Sequence, residues 1–357
     1  MAKHLLRHSA IASEVLGGAM RRARRWAARG TCAAAAAATA LTLSFTCATA
    51  KAATTLRVAT LVPQASSWGR ILQTWDKAVA EKTHDVVKLD IYYNAVQGME
   101  DSMVAKMRTG QLDGAVVSSV GLADIYKNVL ALQLPGVLTT WEKLDRARGA
   151  LGAELKAGLA NNGFSLLSWA DLGVVRPFST GYAVRRPSDL KNRHPLLFRD
   201  DPILPMLYQS LGGVVPRPLS VGEVLPALQS GGVDFVFAPG LAVEQLQWAQ
   251  HLDHVTDWTL VCVIGGTVFR TASLDALPSD LRETFLDIQR RVGEAQNRMV
   301  RKDDQSAFSR VTKKMTVQQL DASEKDTWDK LAQEAVRKLA QSTFPRELVD
   351  QVLAYGK

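Results

Sequence analysis

The most demanding group in this sequence is a guanidinium set among apolar neighbours. Arg176 lies in Gly173-Val174-Val175-Arg176-Pro177-Phe178, a stretch that reads as a buried strand. A buried arginine without an anion is strongly disfavoured. It needs either a structural ion pair or a carboxylate on a bound ligand, for which its planar fork is well shaped. A second candidate is Ser118-Ser119, directly after the apolar run Ala115-Val116-Val117. Hydroxyls and amides at the C-terminal end of such a strand face the crevice where open α/β sheets take ligands. A nucleophilic role for either serine would need a base, and the sequence places no histidine near them. His251-Leu252-Asp253-His254 could pair on a metal, and Asp200-Asp201-Pro202 on a divalent cation. Solvated loop histidines and an acidic helix start are the better readings of these. Trp68, Trp169, Phe178, Phe198 and Trp248 all fall at or near predicted element ends, where they can line a cleft or fill a core.

Catalytic signatures are missing. There is no GxSxG elbow, no GxxxxGK[ST] loop, no GxGxxG after a strand, no HExxH and no CxxC. The sequence therefore points to a binding protein, with no catalytic residue, metal or cofactor expected.

The elements that must position these residues alternate. Leu56–Val62 reads as a strand closed by Pro63, and a helix capped by Ser66 or Ser67 runs to about Lys82. Val86–Tyr93 is strand-like, Met99–Thr109 helical, and Asp113–Val117 a buried strand. Trp141–Ala160 is helical. Phe164–Trp169 and Val174–Val184 read as two strands. Further on, Pro195–Phe198, Gly213–Val215, Asp234–Phe237 and Val261–Phe269 read as strands. Ile203–Leu211, Val221–Gln229 and Val243–His251 read as helices between them. Such alternation implies parallel or mixed sheets covered by helices. From Ser279 the pattern changes. Leu281, Phe285, Ile288, Val292, Ala295 and Met299 mark a seam along one long helix. Ala322–Ser342 and Arg346–Tyr355 complete a helical C-terminus that can brace two lobes.

The chain has 357 residues, enough for two domains, and a formal charge of +8. Eight basic residues and one acid lie in the first 52 positions, so the remainder is close to neutral. Bulk charge thus gives no reason to expect nucleic acid or an anionic membrane as partner. Arg21–Arg29, the apolar Cys32–Ala48 and the small residues Ala48–Ala53 form a secretory signal peptide over 1–52, cleaved after Ala50 or Ala52. The apolar stretch is short for a membrane anchor. Of three cysteines only Cys262 follows the leader, so no internal disulfide is expected.

Several blocks, in order, resemble one known family. Leu56-Arg57-Val58-Ala59-Thr60, Asn94-Ala95-Val96-Gln97-Gly98, Gly110-Gln111-Leu112-Asp113-Gly114 and Leu134-Pro135 resemble the DctP-type solute receptors of TRAP transporters. So do Arg186-Pro187-Ser188-Asp189-Leu190-Lys191, Leu211-Gly212-Gly213, Glu223–Gly231 and Val233-Asp234. The resemblance implies an α/β periplasmic-binding-protein fold of two lobes, with mixed sheets flanked by helices and a long interdomain helix. It implies a cleft that closes on an organic solute, often an organic acid, and delivery to membrane subunits driven by an ion gradient.

Departures from that pattern matter. Leu196 stands where the family carries the arginine that holds a ligand carboxylate, and Arg199 could substitute only if the strand end turns inward. Arg176 matches a second family arginine, two before Phe178. Gly136 replaces a phenylalanine after Leu-Pro. Losing an anion clamp and an aromatic argues for a larger, amphipathic or more apolar ligand.

The expectation is therefore a monomeric periplasmic solute-binding protein. Lobe I would comprise 53–175 with 264–300, and lobe II 176–263 with 301–357. Expected contacts are Trp68, Ser118, Trp169, Arg176, Phe198, Arg199 and Trp248. Alternatives are an envelope carrier for hydrophobic ligands without a permease, and a secreted hydrolase. Neighbouring genes for TRAP membrane subunits separate the first from the carrier. The hydrolase needs a nucleophile beside a base.

Overall fold

Apolar residues on both faces of nearly every strand dictate a sheet covered on both sides. The computed structural model describes residues 53–199 and 201–357, which belong to one compact unit. The expected leader lies outside them. In β1 (Thr54–Thr60), Leu56 and Val58 enter one core cluster while Ala59 enters another on the opposite face. Helix α1 (Ser67–Lys82) starts at Ser66, whose hydroxyl accepts the Gly69 amide at 3.1 Å. Strand β2 (Val87–Tyr92), helix α2 (Glu100–Arg108), strand β3 (Gly114–Ser118) and helix α3 (Ser119–Ala123) follow. Helix α4 (Trp141–Asn161) returns the chain to the sheet.

Strand β4 runs unbroken from Phe164 to Ser179, where two strands were expected. Two register irregularities interrupt its pairing, at Leu166/Ser168 and Asp171/Gly173, and they bend it without ending it. The chain continues through β5 (Leu196–Phe198), α5 (Leu204–Leu211), β6 (Arg217–Leu219), α6 (Val221–Ser230), β7 (Phe235–Pro239), α7 (Gly240–Gln245) and β8 (His254–Thr256). The strand expected at 213–215 is displaced to β6, because Gly212 and Gly213 both take positive φ and turn the chain there. Helix α7 stops early, since Gln247 is left-handed, and Trp248 opens a short 3-10 turn.

Strand β9 (Val261–Arg270) is the partner of β4 along most of its length. Helix α8 (Thr271–Asp275), the 33-residue α9 (Ser279–Val311), β10 (Thr316–Gln318), α10 (Ala322–Ser342) and α11 (Arg346–Tyr355) complete the fold. One mixed sheet has the order β10-β8-β4-β9-β3-β1-β2, with β7 on the far part of β4. Strands β5 and β6 form a separate parallel pair, tied to β7 by the Pro195–Phe235 bridge. One mixed sheet threaded by β4 and β9 thus carries most of the strands, with β5 and β6 beside it as a second, small sheet.

The core follows the sheet. Around β1 and β3, Trp75, Phe269 and Phe285 pack edge-on or tilted at 5.4–6.2 Å. Around β7, Phe237 meets Trp328, which stacks on Trp258 at 4.9 Å. Helix α9 obeys its expected seam only at its start. Phe285 and Ile288 are buried, but Ala295 and Met299 are exposed. The buried line passes instead through Gln289, Gly293, Gln296, Val300 and Asp304.

Candidate functional site

Strands β1, β3, β5 and β7 each end beside a single cleft of about 480 Å³. This is the crevice that strand C-termini create in open α/β sheets. The turn after β1 contributes Leu61, Val62 and Pro63, and the first turn of α1 contributes Trp68. The end of β3 contributes Ser118. The ends of β5 and β7 contribute Phe198 with Arg199, and Phe237 with Pro239. Trp248, Leu260, Val261 and Val263 close the wall.

Ser118 is held from two directions. It caps α3 by accepting the Val120 amide at 3.2 Å, and its hydroxyl donates to Glu100 Oε2 at 2.7 Å. Glu100 also accepts the Ser118 and Gly121 amides at 2.6 and 2.8 Å. Burial pushes the Glu100 carboxyl upward, and those three donors oppose the shift. Ser118 therefore faces the cleft as a fixed cap. Arg199 stands at the rim, its Nη2 donating to both Glu223 oxygens at 3.0 and 3.1 Å. Glu223 is in turn tied to Ser220 as a capping box of α6. Leu196, where the resemblance would place an arginine, is buried in the core.

Asp201 lies in the cleft wall and carries its structural role on one oxygen. Its Oδ1 accepts the Ile203 and Leu204 amides at 2.7 and 3.2 Å and so starts α5. This is the helix-start role available to the pair from sequence; Asp200 lies outside the described residues. Burial pushes the Asp201 carboxyl upward against these two amides. Among the described residues no group of three or more metal-ligating side chains occurs, and His254 pairs with Asp253.

The cleft brings together Trp68, Ser118, Phe198, Arg199 and Trp248 from the expected set, and leaves Trp169 and Arg176 outside its wall. Both stand on β4, whose cleft-lining residues are Ala170, Leu172 and Val175. Trp169 packs into the core beside α4, near Gly152. Arg176 lies over the Phe308 ring of α9 at 4.2 Å. Burial holds its guanidinium below its ordinary value, and Asp304 and Asp257 offset this only from a distance. Its Nε is buried without a hydrogen-bond partner. Asp304 is committed elsewhere, accepting the Val174 and Leu241 amides at 2.9 Å each.

Sequence reasoning missed Glu100 and Gln133. An acid in the first helical turn is ordinary, and nothing in the sequence marks Glu100 as buried. Gln133 enters the wall from a 3-10 turn and accepts the Ile264 amide at 2.9 Å.

Residues 58–343 match the family model described as bacterial extracellular solute-binding protein, family 7, or DctP. The chain belongs to this family. A solute-binding protein of Verminephrobacter eiseniae is 28% identical over 257 residues, 70% of this chain and 75% of that one. A TRAP periplasmic solute-binding protein of Shewanella oneidensis, solved with bound succinate, superposes with a TM-score of 0.79. It is 16% identical and covers 86% of this chain and all of its own. One from Chromohalobacter salexigens, solved with bound D-glucuronate, gives 0.77 at 20% identity, covering 84% and 99%. The fold is that of these DctP-family proteins, with one mixed sheet, flanking helices and the long α9. Among the described residues, no helix is long and apolar enough to cross a membrane.

Proposed function

We propose that this DctP-family chain captures an organic solute in the cleft between β1, β3, β5 and β7 and presents it to a TRAP-type secondary transporter. The observation that carries this is the cleft itself. It gathers five of the seven expected contacts where three strands of the main sheet and one strand of the small parallel pair end. The contacts would be Trp68, Ser118, Phe198, Arg199 and Trp248. Segments 53–175 with 264–300 and 176–263 with 301–357 would close on the solute as two lobes, with the ligand shifting an open population to the closed one. Residues 1–52 would direct export to the periplasm and be removed there, leaving a monomer that neither inserts in the membrane nor binds nucleic acid. Binding without turnover fits the cleft, because Ser118 is engaged as a cap and faces Glu100.

The Shewanella and Chromohalobacter proteins were solved with a dicarboxylate and a sugar acid. This cleft departs from what such solutes need. Its wall is mostly apolar, and its cation stands half-exposed at the rim in an ion pair. A larger amphipathic solute suits it better. Native mass spectrometry of the purified protein tests the proposal. A co-purifying small molecule that is lost in an Ala242→Trp variant, which fills the cleft, supports it. A ligand retained in that variant overturns it.

A further inference from the structure

The charges around the cleft run opposite to those of a receptor for small acids. Glu100, Asp101 and Asp201 line it, against one cation among the described residues, Arg199. Arg199 is already neutralised by Glu223, itself anchored to Ser220. The pair is 55% and 47% exposed in its side chains, so water and salt screen it. An incoming carboxylate would thus meet an apolar wall, a buried acid at Glu100, further acids at Asp101 and Asp201, and an occupied guanidinium. Stripping a carboxylate of water without a matching cation is strongly unfavourable.

The polar groups left open favour a different end group. Asp201 spends only Oδ1 on α5, and Oδ2 has no hydrogen-bond partner among the described residues. Trp68 lines the same cleft with its indole N–H buried and unpartnered. An unmade hydrogen bond on a buried donor costs more than an average bond gains. A solute hydroxyl would relieve that deficit, because it can accept from the indole N–H while donating to the open Asp201 oxygen; an ammonium could serve Asp201 alone. Phe198, Phe237 and Trp248 supply aromatic surface for the rest of it, including faces that attract a cation.

We propose that the solute taken by this cleft is an apolar or aromatic molecule without net negative charge, whose polar end is an alcohol or a protonated amine that donates to Asp201. This rests on the solute-binding reading of the cleft and names the solute's chemical class. It separates this chain from relatives that hold carboxylates, and it follows from the acids that line the cleft and the single cation paired at its rim.

Three probes of one shape distinguish the classes: 3-phenylpropan-1-ol, 3-phenylpropylamine and 3-phenylpropionate. Each is titrated against Nile red bound to the purified protein. The alcohol or the amine is expected to displace the dye at a concentration at least about tenfold below that of the propionate, a gap of about 1.4 kcal/mol. Asp201→Asn keeps the oxygen that caps α5 and should reduce that advantage to less than about threefold. The idea is overturned if the propionate displaces best, if all three fail to displace bound dye, or if Asp201→Asn leaves the advantage intact. The ranking in the unmodified protein decides the matter even if that variant folds poorly. If Nile red binds as well to the Ala242→Trp protein as to the unmodified one, the cleft is not the solute site and both readings fall. A ranking that favours the propionate sinks only the present one.

Discussion

Ala170 and Val175 line the same cleft although they stand an odd number of residues apart on one strand. Alternation alone would put them on opposite faces. The register slip between Asp171 and Gly173 resolves this, because one extra residue exchanges the two faces of everything beyond it. Arg176 would otherwise share the face of Ala170 and Leu172. The slip turns it toward Phe308 instead.

Gly173 makes that slip possible, and replacing it should be costly. Its φ is +136°, and a Cβ there would lie 2.4 Å from the Pro239 Cβ and 2.7 Å from Asp304 Oδ1. Backbone strain and overpacking add. Gly173→Ala should lose about 2–4 kcal/mol in urea unfolding. A loss below about 1 kcal/mol would show that β4 can re-register without penalty.

Beside the slip, Asp171 is fully buried and meets Arg148 Nη1 at 2.8 Å and Arg301 Nε at 2.6 Å. Asp145 joins both arginines, so α4, β4 and α9 are bound by one network. Asp171→Ala leaves two guanidinium groups without their buried anion, and breaking such a pair costs about 3–5 kcal/mol. The melting temperature should drop on the order of 10 °C. Arg301→Met combined with Asp171→Ala should recover part of it. A double variant no better than Asp171→Ala alone would mean that the uncompensated charge is not the cause.

The sequence alone gave α10 and α11 their observed limits, because both are amphipathic between clear stops. The cap of α1 and the strands before Ser118 and Phe198 were equally readable from Pro, Gly and apolar runs. Those pieces place Ser118, Phe198 and Arg199 at strand ends. The buried line of α9 was hidden because Gln289, Gln296 and Asp304 are polar, and nothing in the sequence shows that Gln289 meets Ser168 on β4 or that Asp304 meets Val174 and Leu241. The direction of Arg176 depends on a single-residue slip, which leaves no trace in hydrophobic periodicity. Trp169 was misplaced for the same reason that any aromatic near a strand middle is ambiguous: its face is set by register.

Asp113 predicts how the fold responds to acid. Burial works against its ionisation, but Arg57, Nε at 3.0 Å, and Ser273 Oγ at 2.9 Å outweigh this and hold the carboxyl below the usual range. A carboxyl lowered in the folded state binds fewer protons there than when unfolded. Its contribution is complete above the ordinary aspartate value of about 4 and disappears as pH falls through the folded one. Asp113→Asn should therefore lower the melting temperature at pH 7, and the difference should shrink steadily between about pH 4 and pH 2. A constant difference across that range would show that the loss comes from packing and not from charge.

Arg176 separates a framework role from a ligand role. Its guanidinium stacks on Phe308, leaves Nε unpartnered and reaches only the Val174 carbonyl, at 3.5 Å. Replacing a poorly compensated buried charge by an apolar chain of similar length is often neutral or stabilising. The lost cation–π contact offsets that by about 1–2 kcal/mol. Arg176→Met should thus change stability by no more than about 2 kcal/mol, and the concentration of 3-phenylpropylamine that displaces Nile red should shift less than about threefold. Succinate or D-glucuronate binding to the unmodified protein, lost in Arg176→Met at unchanged stability, would reverse the assignment. The guanidinium would then leave Phe308 when solute is bound and clamp a carboxylate, as the resemblance to DctP-type receptors first implied. The two results exclude each other, because one needs Arg176 on the α9 side of β4 and the other needs it in the cleft.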